Sequence, residues 1–227
     1  MRSVTAAAIA ALALAGPALA AQGVYPAMAP LARYLSSDEV ALARSAAPPS
    51  IAKNAEVLVL GPHGYETAAK GTNGFVCIVE RAWANAFASP DFWNPRDRSP
   101  ICYNAASARS VLPTYLKRTR WVLAGMDKAQ LLARTKAAVA SGEVGPPAPG
   151  AMCYMMSKDG YLNDAAGGPW RPHLMFYTQR MPAAAWGANL PGAPVMGGDN
   201  GDVDPATVFM VPVAHWSDGS PAPPMRM

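Results

Sequence analysis

Prolines and glycines interrupt this chain more often than they interrupt most globular proteins. The sequence has 23 prolines and 19 glycines among 227 residues. Together these two residue types make up about a fifth of the chain, whereas their usual combined share is about 12%. A proline inside a helix removes a hydrogen bond and clashes with the preceding turn, so this frequency weighs against a helical bundle or a coiled coil. Charged residues make up 15% of the chain, below the usual share of about 25%, which weighs against a highly charged disordered protein.

The first 20 residues predict a signal peptide that is removed on export. Arg2 supplies a positive start, residues 4–15 form an apolar run without charge, and residues 18–20 have the small-x-small form that signal peptidase reads. The run is shorter than the roughly 20 apolar residues that span a bilayer. The alternative is a buried N-terminal helix. Export predicts a periplasmic or secreted protein with no stable membrane span after cleavage.

The charge of the chain is mildly basic, with a formal net charge of +4. No cluster of Lys and Arg is interleaved with aromatic residues, so we expect no nucleic-acid partner. The densest basic stretch, residues 117–120, lies on a helical pattern whose other face is apolar. This pattern predicts a solvated helix face.

Hydrophobic periodicity predicts strands first, then helices, then strands again. Three short apolar runs separated by tight turns, at residues 56–60, 65–68 and 75–79, predict an antiparallel meander. The third run is apolar on both faces and is therefore expected at the centre of the sheet. Helical periods follow over residues 108–123 and 127–139, and the strand-like runs of the last third are 152–156, 174–177 and 208–211. This order predicts an α+β fold with a mainly antiparallel sheet and helices packed on one face.

The predicted domain organisation is a single compact unit. We expect a signal peptide at 1–20, a loose lead-in at 21–35, one α+β domain at 36–220 and a flexible tail at 221–227. Capping-box patterns predict one helix start at Ser36–Glu39 and another at Asp127–Gln130.

Three cysteines, Cys77, Cys102 and Cys153, allow at most one internal disulfide. An exported domain occupies a compartment where disulfides persist. We favour a Cys77–Cys102 bond, because it would tie the proline-rich loop at 89–103 to the sheet and leave Cys153 as a buried thiol. The other two pairings, and no bond at all, remain alternatives.

Side chains that bind soft metal ions cluster near the start of the last third of the chain. These are Met152, Cys153, Met155 and Met156, with His173 and Met175 as possible partners. Alternation along a strand places Cys153 and Met155 on one face and Met152 and Met156 on the other. The hypothesis is a Cu(I) site on one face, and the alternative is core packing.

No other metal site and no cofactor is predicted. The three histidines lack the spacing of a zinc site. The acidic run with Asp199, Asp202 and Asp204 does not match a calcium-binding EF-hand loop, and turn chemistry accounts for it better than a calcium site.

Four residues are candidates for a functional site. His173 precedes a late strand, where catalytic side chains are often presented, and it is the candidate catalytic residue. Trp93, Trp170 and His215 are candidate ligand-binding residues in a shared groove. The alternatives are a structural histidine and aromatic rings that close the edges of the core.

Three segments resemble a family of uncharacterised exported bacterial proteins. They are residues 72–77 (TNGFVC), 151–157 (AMCYMMS) and 172–176 (PHLMF). The resemblance spans most of residues 36–219. It implies export, and it carries no activity, catalytic residue or ligand.

Two functions fit these observations. One is a binding or structural module of the cell envelope, with a small molecule, a glycan or an envelope protein as its ligand. The other is a periplasmic hydrolase that uses His173 with a nearby acid or thiol. Serine-nucleophile motifs of the form G-x-S-x-G or S-x-x-K do not occur in the sequence.

Overall fold

The computed structural model describes residues 24–198 and 203–224. The predicted signal peptide and the acidic residues Asp199 and Asp202 lie outside the described residues.

Five α-helices and eight strands form within the described residues. The helices are α1 (Glu39–Arg44), α2 (Pro49–Ala52), α3 (Ala105–Ser110), α4 (Leu112–Leu123) and α5 (Lys128–Ala140). The strands are β1 (Glu56–Gly61), β2 (Gly64–Ala69), β3 (Val76–Glu80), β4 (Ser99–Tyr103), β5 (Met152–Met155), β6 (His173–Thr178), β7 (Met196–Gly198) and β8 (Thr207–Pro212). Short 3-10 helices occur at Leu31–Arg33, Ala82–Ala84 and Ala183–Trp186.

The strands form one sheet in the order β2-β1-β3-β4-β5-β6-β8-β7. Every pair of neighbours is antiparallel except β1 and β3, which are parallel. The α+β class and the mainly antiparallel sheet are therefore confirmed. β3 is an inner strand with buried residues on both faces, as its two-sided apolar pattern predicts.

The predicted meander is wrong in one pairing. β1 and β2 form the expected hairpin, but β3 pairs with β1 rather than with β2. The central positions of β2, residues 66–68, are exposed, whereas β3 is buried almost throughout. A strand with a polar face is stable at the edge of a sheet, so β2 takes the edge and β3 takes the inner side of β1.

Helices cover both faces of the sheet rather than one. α3 and α4 lie on the face that carries Ile78 and Ile101, as expected for a single helical layer. α1 and α2 pack on the opposite face, against Cys77, Val79 and other apolar side chains. This opposite face needs its own cover because successive residues of β3 alternate between the two sides and all of them are apolar up to Glu80.

The disulfide between Cys77 and Cys102 is confirmed. The two residues lie directly opposite each other on β3 and β4, on the face covered by α1. The predicted loop at 89–103 thus ends in strand β4, and the disulfide ties β4 to β3. Cys153 is a free, fully buried thiol, as predicted.

The two predicted capping boxes have different outcomes. The box at the start of α5 is confirmed: Asp127 accepts from the Gln130 amide at 2.8 Å and Gln130 accepts from the Asp127 amide at 2.9 Å. The box at Ser36 is wrong, because α1 begins at Glu39 and has no side-chain cap. The Glu39 carboxylate instead contacts Arg81 in the interior.

An aromatic cluster fills the space between α4, α5 and the segment before α1. Its buried members include Tyr34, Trp83, Phe92 and Trp93. The Tyr34 hydroxyl donates to the Trp93 carbonyl at 2.8 Å, so the described part of the predicted lead-in is held against the domain.

Candidate functional site

The predicted catalytic residue His173 lies beside a small pocket at the start of β6. It is 4% exposed, and the pocket has a volume of about 20 Å³, enough for about one water molecule. Trp170 packs edge-on against the imidazole, with the ring centroids 4.8 Å apart. Residues 98–100, at the end of the predicted loop 89–103, line the same pocket. The fold therefore brings two predicted site residues and this loop together.

The chemistry of His173 is limited by its hydrogen bond and its burial. Its Nδ1 atom lies 2.7 Å from the carbonyl of Arg171, and because a carbonyl only accepts, Nδ1 carries the proton. Burial lowers the pKa of His173, so the imidazole is neutral at neutral pH. The described residues that line the pocket include no Asp, Glu or Cys. The described lining of this pocket thus offers His173 no acid or thiol partner, which a hydrolase would need. The hydrolase function stays a prediction.

Trp93 and His215 lie away from this pocket. Trp93 is 3% exposed and packs in the aromatic cluster, edge-on against Phe92 at 4.8 Å. His215 is exposed and forms an isolated β-bridge with Pro221. Neither residue lines the pocket beside His173, so the described residues form no groove that contains all four candidates.

A larger cavity lies between α3, α4 and the end of the sheet formed by β6 and β8. Its volume is about 160 Å³. Its lining residues are Ala84, Ala86, Ser110, Val111, Thr114, Tyr115, Pro147, Tyr177, Asp204, Pro205, Ala206 and Val208. The wall is mostly apolar, and Ser110 is already bonded to the Ala106 carbonyl and the Ala148 amide. The hydroxyls of Thr114 and Tyr115 make no hydrogen bond to any described residue, which leaves them available to a ligand.

A buried carboxyl group lies behind this cavity. Glu80 ends β3, and the Tyr103 hydroxyl donates a short hydrogen bond to its Oε1 atom. Burial raises the pKa of Glu80 to about 7, although the Tyr103 hydrogen bond and the positive charge of Arg118 act to lower it. The Tyr103 ring lies 6.2 Å from the ring of Tyr115 and 6.3 Å from that of Tyr177, between centroids. The ring of Tyr103 therefore separates the Glu80 carboxyl group, whose pKa is about 7, from the cavity-lining residues Tyr115 and Tyr177.

Arg118 is a buried cation at the same cavity. Its side chain is fully buried, and Nη2 lies 2.8 Å from Oδ1 of Asp204, which lines the cavity. The guanidinium lies over the Phe87 ring, 4.8 Å from the centroid, and its buried Nε atom has no hydrogen-bond partner among the described residues. The prediction of a solvated basic face at residues 117–120 is therefore wrong for Arg118, which faces inward because a carboxylate and an aromatic ring stabilise it there.

Cys153 does not supply a reactive thiol to this site. Its Sγ atom lies 3.4 Å from the Tyr177 hydroxyl and is fully buried. Burial raises the pKa of the Cys153 thiol, so it stays protonated at neutral pH. Cys153 is consequently a packing residue beneath the cavity.

Sequence reasoning missed Glu80, Tyr115 and Arg118. One signal was readable: Glu80 directly follows an apolar strand run, and alternation places it on the same face as Ile78. The partners of these residues could not be read in the same way, because Asp204 and Tyr177 come from the last third of the chain.

The comparisons with known proteins give no relative: no protein-family model, no curated protein and no solved structure matches this chain. Among the described residues, no helix has the length and apolar character needed to cross a membrane. The same residues contain no group of three or more His, Cys, Asp or Glu side chains arranged to hold a metal ion.

Proposed function

We propose that this protein is an exported binding protein for a small molecule, which occupies the cavity between α3, α4, β6 and β8. The observation that carries the proposal is the cavity itself, with a volume of about 160 Å³ and two uncommitted hydroxyls, those of Thr114 and Tyr115, in an apolar wall. An apolar cavity of about 150 Å³ in another protein takes up benzene, so a ligand of that size fits here.

The lining of the cavity indicates the chemistry of the ligand. Val111, Pro205 and Val208 favour a compact apolar body, and the hydroxyls of Thr114 and Tyr115 favour one hydrogen-bonding group on it. The carboxylate of Asp204 is paired with Arg118, so it offers no free charge to a cationic ligand. Of the predicted partners, a small molecule fits this lining better than a glycan, which would need more polar groups.

Export is part of the proposal. The Cys77–Cys102 disulfide supports it, because disulfides persist in the periplasm and outside the cell and are rare in the cytosol. The leader pattern at residues 1–20 supports the same location.

The test uses phenol and toluene as probes of the cavity. Each probe should raise the thermal unfolding midpoint of the protein, because a ligand that binds only the folded state stabilises it. Val208→Phe places a ring in the cavity, which reduces the space for a ligand, and it should strongly reduce the shift. Val211→Phe adds the same volume to the opposite face of β8 and should preserve it, since Val211 pairs with Leu174 on that face.

A second variant tests the polar group. Tyr115→Phe should weaken phenol binding by about 1 kcal/mol, the net value of one hydrogen bond, and leave toluene binding unchanged. The proposal is overturned if neither probe shifts the midpoint, or if the Val208→Phe protein binds both probes as the unmodified protein does.

A further inference from the structure

Three methionines occupy one cross-strand row at the β7 edge of the sheet. Met175 of β6 lies opposite Met210 of β8, and Met210 lies opposite Met196 of β7. Residues directly opposite each other on antiparallel strands have Cα atoms about 4.5–5.5 Å apart and project to the same face. All three side chains are partly exposed. A methionine side chain is long enough for three sulfur atoms so placed to converge on one ion.

The surroundings of this row cover its side chains only in part. Met196 is followed by Gly197 and Gly198, which add no side chains to the edge strand. On this face α3 packs mainly against β4 and β5 and α4 against β2. Both helices also reach β6 and β8 across the cavity at Tyr177 and Val208, two residues along the strands from Met175 and Met210. The row therefore lies beside the cavity, with Met175 packed against the core on the helical face and with Met196 on the edge strand.

We propose that Met175, Met196 and Met210 form a binding site for Cu(I). A thioether sulfur is a soft, neutral ligand that selects Cu(I) over hard ions such as Mg²⁺ and Ca²⁺. Thioethers also suit an exported protein, because they do not form disulfides in an oxidising compartment whereas thiols do. The site shares no residue with the cavity lining, so the cavity test and the copper test can fail separately.

The proposed copper site differs from the one that the sequence suggested around Met152 and Cys153. Met152 lies opposite Phe176 and projects to the face of the sheet that does not carry Met175. Cys153 is on the correct face, but it is fully buried and bonded to Tyr177. Only Met175 of the original cluster belongs to the row, and β7 and β8 supply the other two ligands.

The experiment titrates the purified protein with Ag(I), a redox-stable analogue of Cu(I). Ag(I) needs no reductant, so the Cys77–Cys102 disulfide stays intact during the measurement. The protein carries Cys153→Ser, because a free thiol would bind the same ion. We expect one Ag(I) per chain.

Leucine variants identify the ligands. Met210→Leu should weaken binding by more than about tenfold, since changes even to the partners of metal ligands cost about 10- to 100-fold. Met152→Leu, on the opposite face, is the matched control and should bind as the Cys153→Ser parent does. Methionine-to-leucine changes nearly conserve volume and usually cost less than about 1.5 kcal/mol, and Met196→Leu on the edge strand provides the same test if Met210→Leu does not fold.

The pH dependence separates thioethers from other ligands. Thioethers carry no proton, so the affinity for Ag(I) should be equal at about pH 5 and pH 7, whereas sites made of His, Cys or carboxylate weaken in acid. The proposal is overturned if the Cys153→Ser protein binds no Ag(I), or if the leucine variants of the row bind as tightly as Met152→Leu. An affinity that falls in acid would also overturn it, because it would assign the ion to a protonatable ligand, of which His173 lies in the neighbouring row, opposite Met155.

Discussion

Glu39 and Arg81 form an ion pair in the interior of the protein, with Oε2 of the carboxylate 2.5 Å from Nη2 of the guanidinium. Neither side chain is more than 4% exposed. The second carboxylate oxygen accepts from the Leu60 amide at 2.9 Å, and Arg81 Nε donates to the Tyr34 carbonyl at 2.9 Å. The ion pair and its two hydrogen bonds therefore connect α1, β1 and the segment before α1 in the interior of the protein.

Breaking this pair on one side should be costly. Glu39→Gln leaves the Arg81 cation buried without its counter-charge, and removal of one partner from a buried pair costs about 3–5 kcal/mol of the free energy of unfolding. Urea denaturation measures the loss. Lys158→Met is the control, because the Lys158–Asp218 pair is about half exposed and such pairs are worth about 1 kcal/mol or less.

A double variant shows whether the cost comes from the unpaired charge. Glu39→Leu combined with Arg81→Met removes both charges and should be clearly more stable than Glu39→Gln, since apolar replacements of a buried pair are often neutral or better. A double variant that is less stable than either single variant would contradict this account.

Glu80 should make the protein less stable as the pH rises towards neutral. Its pKa rises from the ordinary 4.5 to about 7 on folding, so within that window the folded state holds a proton that the unfolded state has released. The free energy of unfolding from this group then falls with increasing pH, by on the order of 1 kcal/mol per pH unit. Glu80→Gln cannot ionise, so its stability relative to the unmodified protein should increase between about pH 5 and 7 and level off above about 7.

Glu143→Gln is the matched control for this pH series. The Glu143 carboxylate is partly exposed, and its hydrogen bond with Arg134 lowers its pKa. Its stabilising effect is lost only in more acidic solution, so the difference from the unmodified protein should be constant between about pH 5 and 8. Identical pH profiles for the two glutamine variants would contradict the assignment of the titration to Glu80.

The disulfide leads to a simple count of thiols. Cys153 is fully buried, so the folded protein should not react with a thiol reagent, and the protein unfolded without reductant should show one thiol per chain. The Cys77→Ala, Cys102→Ala double variant should lose about 3 kcal/mol of the free energy of unfolding. The reason is that the bond closes a loop with a sequence separation of 25 residues and so restricts the unfolded chain. Cys153→Ser gives the reference count of zero, and three reactive thiols in the unfolded protein would show that the bond does not form.

Local patterns predicted those elements whose stability depends on neighbouring residues. The capping box of Asp127 and Gln130 forms because both partners lie within one helical turn. Ser36 and Glu39 have the same spacing, yet Glu39 bonds to Arg81, because a charged partner in a dry interior is a stronger attraction than a helix amide. Arg118 shows the same limit: helical periodicity placed it among solvated residues, and its pairing with Asp204 places it in the interior.

By itself, the sequence determined the α+β class and the inner position of β3, because alternation and turn residues act over short distances. It favoured the Cys77–Cys102 pairing over its alternatives, and the structure decided between them. Only the tertiary structure decided that β3 pairs with β1, that Glu80 lies behind the cavity at Tyr115, and that three methionines from three strands form one row. The physical reason is that periodicity specifies which side of a strand or helix is buried, whereas the identity of its partner depends on sheet order, and sheet order is set by the competition of all the strands for burial.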